Sequence, residues 1–134
     1  WYGTLGCFFV MHFIGGLILG MVFQSAHIME VCEFTQPDEK GLMRDSWAIH
    51  QLKTTANFAK HSKLVTWYVG GLNFQIEHHL FPNICHVHYK KISNIVKATA
   101  EEYGILYNDK KTYFGAVRSH YKMLKELGVK PVVS

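Results

Sequence analysis

The stretch Asn73-Phe74-Gln75-Ile76-Glu77-His78-His79-Leu80-Phe81-Pro82 places the strongest constraint on what this chain can be. On a helix, Gln75 precedes His78 by three residues and His79 by four, so the three side chains fall within roughly 100° of arc. Imidazole is costly to bury without a partner, so paired histidines at the end of an apolar segment are poorly explained as core side chains. A polar face exposed to water is the alternative. The spacing favours metal ligation.

The composition around this stretch is that of a membrane-associated chain. Its 134 residues are enough for one compact domain, and 49% hydrophobic with 14% aromatic residues is rich for a soluble protein. The positive charges lie after residue 39, as expected for basic segments on the cytoplasmic side of a membrane. A net charge of +4 without a dense basic face argues against a nucleic-acid partner.

The reactive residue types narrow the class further. Cys7, Cys32 and Cys85 form no Cys-x-x-Cys pair, so neither a disulfide framework nor a zinc ribbon is indicated. The nine histidines are clustered, which invites a metal hypothesis. Because the chain begins at Trp1 without a methionine and with apolar residues, we expect it to be a piece of a longer protein.

The first apolar run, from Leu5 to Phe23, predicts a transmembrane helix. As a helix it would extend about 28 Å, which crosses a bilayer core. No basic region precedes it and no small-residue cleavage site follows it, which argues against a signal peptide. Gly16 and Gly20 permit close approach of another helix, which we expect outside this chain. His12 lies roughly 22 Å from His27 along such a helix, so we interpret it as a helix-contact residue.

The later segments predict helices outside the bilayer. A helix from Trp47 to about Phe58 is too polar to span and is expected on the membrane surface or against the site. Residues 64–80 predict another interfacial segment, ended by Pro82, in which Gly70-Gly71 favours close packing or a kink.

Two amphipathic helices are predicted near the end of the chain. The first runs from about Tyr89 to Tyr103 and stops at Gly104, and the second runs from Thr112 to Leu127 and stops at Gly128, before Pro131. Their lysines predict a solvated face, with membrane-surface contact as the alternative.

The predicted architecture is therefore an all-α integral membrane protein with one transmembrane helix. Residues 5–33 form that helix and its cytosolic extension, residues 45–82 form interfacial helices that include the histidine stretch, and residues 86–128 form cytosolic cover helices. The histidine site and the C-terminus are expected on the cytoplasmic side.

Residues 70–82 resemble the third histidine box of membrane fatty acid desaturases. The Gln-x-x-His-His form is similar to that of front-end desaturases of the linoleoyl-CoA desaturase type, and of related sphingolipid desaturases. Residues 24–27, Gln-Ser-Ala-His, resemble the polar end of the last spanning segment, which in that family supplies a further histidine ligand. Trp47, Gln51 and Asn57 resemble the pattern that precedes the box. The resemblance covers nearly all of residues 1–134.

The resemblance implies the C-terminal part of a di-iron, oxygen-dependent enzyme that introduces a cis double bond into an acyl chain. Nitrogen-rich ligation suits two non-haem iron ions. The implied site consists of the iron ligands His27, His78 and His79, more weakly Gln75, and the polar neighbours Gln24 and Asn73. The implied partners are a fatty acyl substrate linked to lipid or CoA, the lipid bilayer, and an electron donor such as a b-type cytochrome or a ferredoxin.

The family's first and second histidine boxes do not occur in this sequence. The imidazoles that can be assigned are too few to hold two irons, so we expect the isolated chain to be inactive and to bind iron poorly. A hydroxylase-type outcome on a similar centre is a variant of the same hypothesis. The alternative from another class is a non-catalytic membrane protein that binds haem or a structural metal through its histidines.

Overall fold

The structure is a computed structural model and describes residues 1–129. Helices dominate it, in the order α1 (Tyr2–His27), α2 (Trp47–Thr54), β1 (Asn57–Phe58), α3 (Lys63–Tyr68), α4 (Gln75–Leu80), a 3-10 helix (His86–His88), α5 (Tyr89–Glu102), β2 (Asp109–Lys110) and α6 (Tyr113–Val129). The predicted all-α class is confirmed, with one addition. The two-residue strands β1 and β2 pair in parallel, Asn57 with Asp109 and Phe58 with Lys110.

Helix α1 is unbroken, and its apolar side chains stay exposed over most of its length. By length and composition it can cross a membrane, and no other helix within residues 1–129 meets that test. A helix that is apolar on all sides and lacks protein partners is typical of a surface that faces lipid or other spanning helices. The helix ends at His27, and residues 28–32 form a turn.

The end of α1 is the point where the other elements meet. A buried cluster joins it to β1 and α6, consisting of Val22, Ala26, Met29, Cys32, Ala56, Phe58, Ala59 and Ala116. The Ala56 amide donates to the Ala26 carbonyl at 2.9 Å, and a ring nitrogen of His120 lies 2.9 Å from the Ile28 carbonyl. These bonds hold the last turn of α1, and with it His27, against the rest of the protein.

The helix predicted from Trp47 to Phe58 is shorter than expected. Helix α2 ends at Thr54, and Thr55 has extended dihedral angles, φ −132° and ψ 149°. The Asn57 amide donates to the Asn108 carbonyl at 2.9 Å, and the side chains of Asn57 and Phe58 are fully buried. Pairing with a distant strand overrides the local helical pattern, which explains why the sequence did not predict it.

The segment predicted as one unit from residue 64 to residue 80 is two short helices. Gly70 and Gly71 have φ values of +59° and +80°, in the left-handed region that glycine adopts without steric cost. The chain turns there, and α4 begins at Gln75 and ends at Leu80, two residues before Pro82. The turn sets the direction of α4, and with it the direction of the histidine pair.

Gly71→Ala is expected to lower the free energy of unfolding by about 2–4 kcal/mol, because it combines an unfavourable positive φ with a clash. A Cβ atom at position 71 would lie 2.6 Å from the Cβ of His86. Gly70→Ala is the matched control, since its φ is +59° but no atom lies within 4 Å of its added Cβ. Thermal unfolding in detergent measures both, and equal losses would contradict the close packing of His86 on this turn.

The two predicted amphipathic helices are confirmed as α5 and α6. Gly104, with φ +66°, follows the end of α5 as expected, and α6 runs two residues past its predicted end. Pro131 lies outside the described residues. A second buried cluster joins α5 to α2 and α4, consisting of Leu52, Ile76, Val96, Ala100 and Tyr107. The histidine pair on α4 therefore lies between this cluster and the end of α1.

Candidate metal centre

Three of the predicted site residues converge where α1 meets α4. The Nε2 atom of Gln75 lies 3.3 Å from Nε2 of His27 and 3.4 Å from Nε2 of His79. The ring centroids of the two histidines are 4.9 Å apart. As the helical spacing predicts, Gln75 and His79 lie one turn apart on α4, and α1 brings His27 to them.

The orientation of His79 is set by a residue that the sequence did not single out as a site residue. Nδ1 of His79 lies 2.7 Å from Oε1 of Gln51, an oxygen that can only accept. Nδ1 therefore carries the proton and Nε2 presents its lone pair toward His27 and Gln75. Burial, then the charges of His27 and His78, lower the pKa of His79 to about 4. The ring is neutral at neutral pH, which is the form that binds metals.

The donor set fits a shared metal ion. Nε2 of the Gln75 amide can donate to the lone pair of a neighbouring imidazole, whereas an amide binds a metal through its oxygen, so His27 and His79 are the nitrogen donors of this group. The amide oxygen Oε1 of Gln75 is buried and has no hydrogen-bond partner among the described residues. An orphaned buried acceptor beside two imidazole lone pairs is chemically suited to a cation.

His78 points away from this group. Its Nδ1 lies 3.4 Å from the hydroxyl of Tyr89 on α5, and its ring centroid is 5.8 Å from that of His79 at 80°. The expected convergence of Gln75 with both histidines thus holds for His79 and not for His78. The two neighbouring rings face separate positions.

The predicted polar neighbours do not contact the candidate ligands. The Asn73 side chain is buried and donates to Thr66 Oγ1 at 3.0 Å and to the Ala59 carbonyl at 3.5 Å. The Asn73 side chain therefore stabilises the turn at Gly70 and Gly71. The side chain of Gln24 is exposed, and within residues 1–129 it makes no hydrogen bond to a predicted ligand.

A buried network on the opposite side of α4 was not predicted. Glu77 is fully buried and accepts from Asn57 Nδ2 and from the Tyr107 hydroxyl, both at 2.8 Å. Oδ1 of Asn57 accepts from the Ile76 amide at 2.9 Å, and Lys60 Nζ lies 3.3 Å from the Tyr107 oxygen. Burial raises the pKa of Glu77, and the two donated bonds oppose that rise. The network fixes the helix that carries the histidine pair.

The remaining histidines are dispersed. His12 bonds to its own helix, His50 bonds to Thr35 Oγ1 at 3.0 Å, and His120 bonds to Ile28. Within the described part of the chain, no group of three or more His, Cys, Asp or Glu side chains is arranged to hold a metal ion. The convergent group supplies two imidazoles and one amide, which can form one side of a metal site.

Comparison with known proteins bears on this geometry. A family model described as fatty acid desaturase matches residues 1–111. The chain is 44% identical over 122 residues to the sn-1 linoleoyl-lipid 6-desaturase of Arthrospira platensis, an alignment that covers 91% of this chain and 33% of that protein. It is 45% identical over 114 residues to the sn-1 linoleoyl-lipid 6-desaturase of Synechocystis sp., covering 84% and 32%.

A fungal relative is more distant but covers a similar part of the chain. Identity to the acyl-lipid (8-3)-desaturase of Mortierella alpina is 39% over 124 residues, which covers 92% of this chain and 28% of that protein. The chain thus spans about a third of the length of the curated relatives it matches. No solved structure matches it.

Proposed function

This chain belongs to the fatty acid desaturase family, and we propose that it contributes one side of the metal centre of a membrane-embedded acyl desaturase, an oxidoreductase. The observation that carries the proposal is the convergence of His27, Gln75 and His79 Nε2 atoms, with His79 oriented by Gln51. This arrangement brings two imidazoles and one amide to one point, next to a helix that can span the membrane.

The residues that would hold iron divide into two sets. His27, His79 and, more weakly, Gln75 would share one ion, and His78 would serve the other. A di-iron centre would supply activation of dioxygen: two hydrogens from the acyl chain, with two electrons from the donor and two protons, would reduce dioxygen to two water molecules and leave a cis double bond. This chain's own residues position the donors: Gln51 fixes the proton of His79, and Tyr89 lies beside Nδ1 of His78. The remaining ligands are proposed to come from histidines outside this chain.

An apolar cavity supports the proposal that the substrate is an acyl chain. It has a volume of about 630 Å³ and lies between α2, the end of α4 and α5. Leu52, next to Gln51, and Leu80, next to His79, both line it. Cavities of this size and apolar character are typical of sites for small apolar ligands. The names of two relatives specify a linoleoyl lipid, which makes a linoleoyl chain the first substrate to test.

The proposed membrane topology follows from where the positive charges lie relative to α1. The histidine site and C-terminus are placed on the cytoplasmic side, because the positive charges follow α1. A b-type cytochrome or a ferredoxin is proposed as electron donor. We propose that the 134-residue chain alone is inactive and holds iron poorly, since its candidate ligands are too few for two ions.

The test compares the complete enzyme with this chain. The complete enzyme, supplied with a linoleoyl lipid, dioxygen and an electron donor, should yield a product with one more double bond and contain two non-haem irons. The isolated chain should do neither. Two tightly held irons with turnover in the isolated chain would overturn the fragment proposal. A strong Soret band in the complete enzyme would instead support haem binding.

Gln51→Leu is expected to lower iron affinity about 10- to 100-fold, because it removes the acceptor that fixes the protonated nitrogen of His79. Gln51→Glu keeps an acceptor at that position and should retain most of the iron. Iron per protein after dialysis against a chelator series measures both variants in the complete enzyme. If leucine and glutamate behave alike, the hydrogen bond to His79 has no positioning role.

A further inference from the structure

Within residues 1–129, helix α3 has an apolar face without a protein partner. Leu64, Trp67 and Tyr68 are 73%, 78% and 61% exposed, although the helix has only six residues. Val65 and one edge of Tyr68 border a cavity that α3 shares with α1, whose lining includes Leu17 and Val22. Helix α3 therefore lies alongside the second half of the candidate spanning helix.

The contact with α1 indicates how deep α3 would lie in a membrane that α1 spans. Leu17 and Val22 lie six residues and one residue before Phe23, the end of the apolar run. At 1.5 Å per residue, α3 lies roughly 1.5 to 9 Å inside the apolar end of α1. That depth is the boundary between lipid headgroups and acyl chains, where amphipathic helices bury their apolar faces by about 5–10 Å.

The residue types on α3 indicate that its exposed face contacts lipid and not a neighbouring spanning helix. Helix contacts within membranes use small residues that let backbones approach, and these occur on α1 as Gly16 and Gly20. Helix α3 has one such residue, Thr66, and its hydroxyl is bonded within this chain, to the Ser62 carbonyl at 2.9 Å and to the Asn73 side chain at 3.0 Å. Tryptophan and tyrosine are instead enriched at the membrane–water interface, where the ring is apolar and its polar atom is wet.

Cationic side chains lie next to this apolar face. A cavity of about 290 Å³ has α3 as one wall, and its lining includes Lys60, His61, Lys63, His86 and Lys90 and no carboxylate. Lys60 is paired with Asp109 at 3.2 Å, so Lys63 and Lys90 supply the charge that remains in this groove. When the apolar face of α3 is inserted into a membrane, these lysines lie at the level of the lipid phosphate groups.

We propose that α3 is an interfacial anchor, which inserts Leu64, Trp67 and Tyr68 among lipid acyl chains while the lysine groove beside it binds anionic headgroups. The inference rests on the proposed insertion of α1 into the membrane. Its partner is the bilayer surface, and its consequence is that the glycine turn leading to α4 is held at a fixed height.

Photo-crosslinking in native membranes tests the anchor. Benzoylphenylalanine replaces Leu64 or Trp67 in the complete protein, and mass spectrometry identifies the adduct. We expect about tenfold more lipid adduct at these positions than at Leu106, an equally exposed residue between α5 and β2. An adduct to another protein segment, or no adduct at all, would overturn the proposal.

Controls on α1 separate this inference from the proposed span. Benzoylphenylalanine at Phe8, Phe9 and Met11 samples different sides of α1, so at least one of these positions should label lipid if α1 spans. Lipid labelling on α1 without labelling on α3 overturns the anchor alone. Absence of labelling on both helices overturns the span and the anchor together.

The groove is tested by charge reversal. Lys63→Glu should reduce the share of anionic lipid among adducts at position 67 about fivefold, since a lysine near an anionic surface contributes on the order of 1 kcal/mol. Lys125→Glu on α6 is the matched control, because Lys125 is exposed and does not line the groove. An unchanged share in Lys63→Glu would contradict headgroup binding by the groove.

Discussion

His79→Ala in the complete enzyme is expected to abolish desaturation while leaving the protein in the membrane. His79 contributes the lone pair that faces His27 and Gln75, and its removal leaves this side of the centre with one imidazole. Product formation should fall below detection, and iron content should fall with it. His78→Ala is expected to give the same result through the other metal position. Product analysis and iron per folded protein measure both effects.

His12→Ala is the control for this prediction. His12 is exposed on α1, and its ring nitrogen lies 2.9 Å from the Phe8 carbonyl of its own helix, so its loss should affect stability more than chemistry. Activity per folded molecule should match that of the unmodified enzyme. Desaturation that persists in either His78→Ala or His79→Ala would count heavily against ligation by that residue. Loss of iron from His12→Ala alone would show that the placement of α1 is wrong.

Asn57→Ala is expected to destabilise the protein by about 3 kcal/mol, because it leaves the Ile76 amide without its acceptor and Oε2 of the buried Glu77 without its donor. Its side chain donates to Glu77 and to the Tyr107 oxygen, and accepts from the Ile76 amide at the start of α4. For a chain of this size the midpoint of thermal unfolding should fall by roughly 10 °C.

The matched control is Asn94→Ala on α5, where the side chain is exposed. Its effect should lie within about 0.5 kcal/mol, as for most surface substitutions. Both variants are compared by thermal unfolding in the same detergent. A loss in Asn57→Ala no larger than in Asn94→Ala would show that the buried network does not hold α4 in place.

Local features of the candidate site could be predicted from the sequence. The three- and four-residue spacing put Gln75 and His79 on one side of a helix, and the structure shows them in contact. The apolar run before His27 predicted a long helix that delivers this residue to the site, as α1 does. The role of these residues as iron ligands stays a prediction.

The supporting contacts could not be predicted, because they join residues far apart in the chain. Gln51 reaches His79 from another helix, and Tyr107 reaches Glu77 from a loop after α5. No periodicity in the sequence encodes such pairs. The β1–β2 pairing was missed for the same reason, since each strand has only two residues. The position of Tyr89 beside His78 is another contact between distant residues, which the spacing along one helix does not reveal.

In the proposed membrane-spanning arrangement, the unbroken α1 ties the candidate metal centre to the thickness of the bilayer. No kink separates the apolar run from His27, so the number of residues in that run sets how far His27 lies from the hydrocarbon core. Deleting one residue between Leu5 and Phe23 would shorten α1 by about 1.5 Å and turn its two ends by about 100° relative to each other. The contacts of α1 with its surroundings in the membrane and the position of His27 beside Gln75 are then no longer compatible.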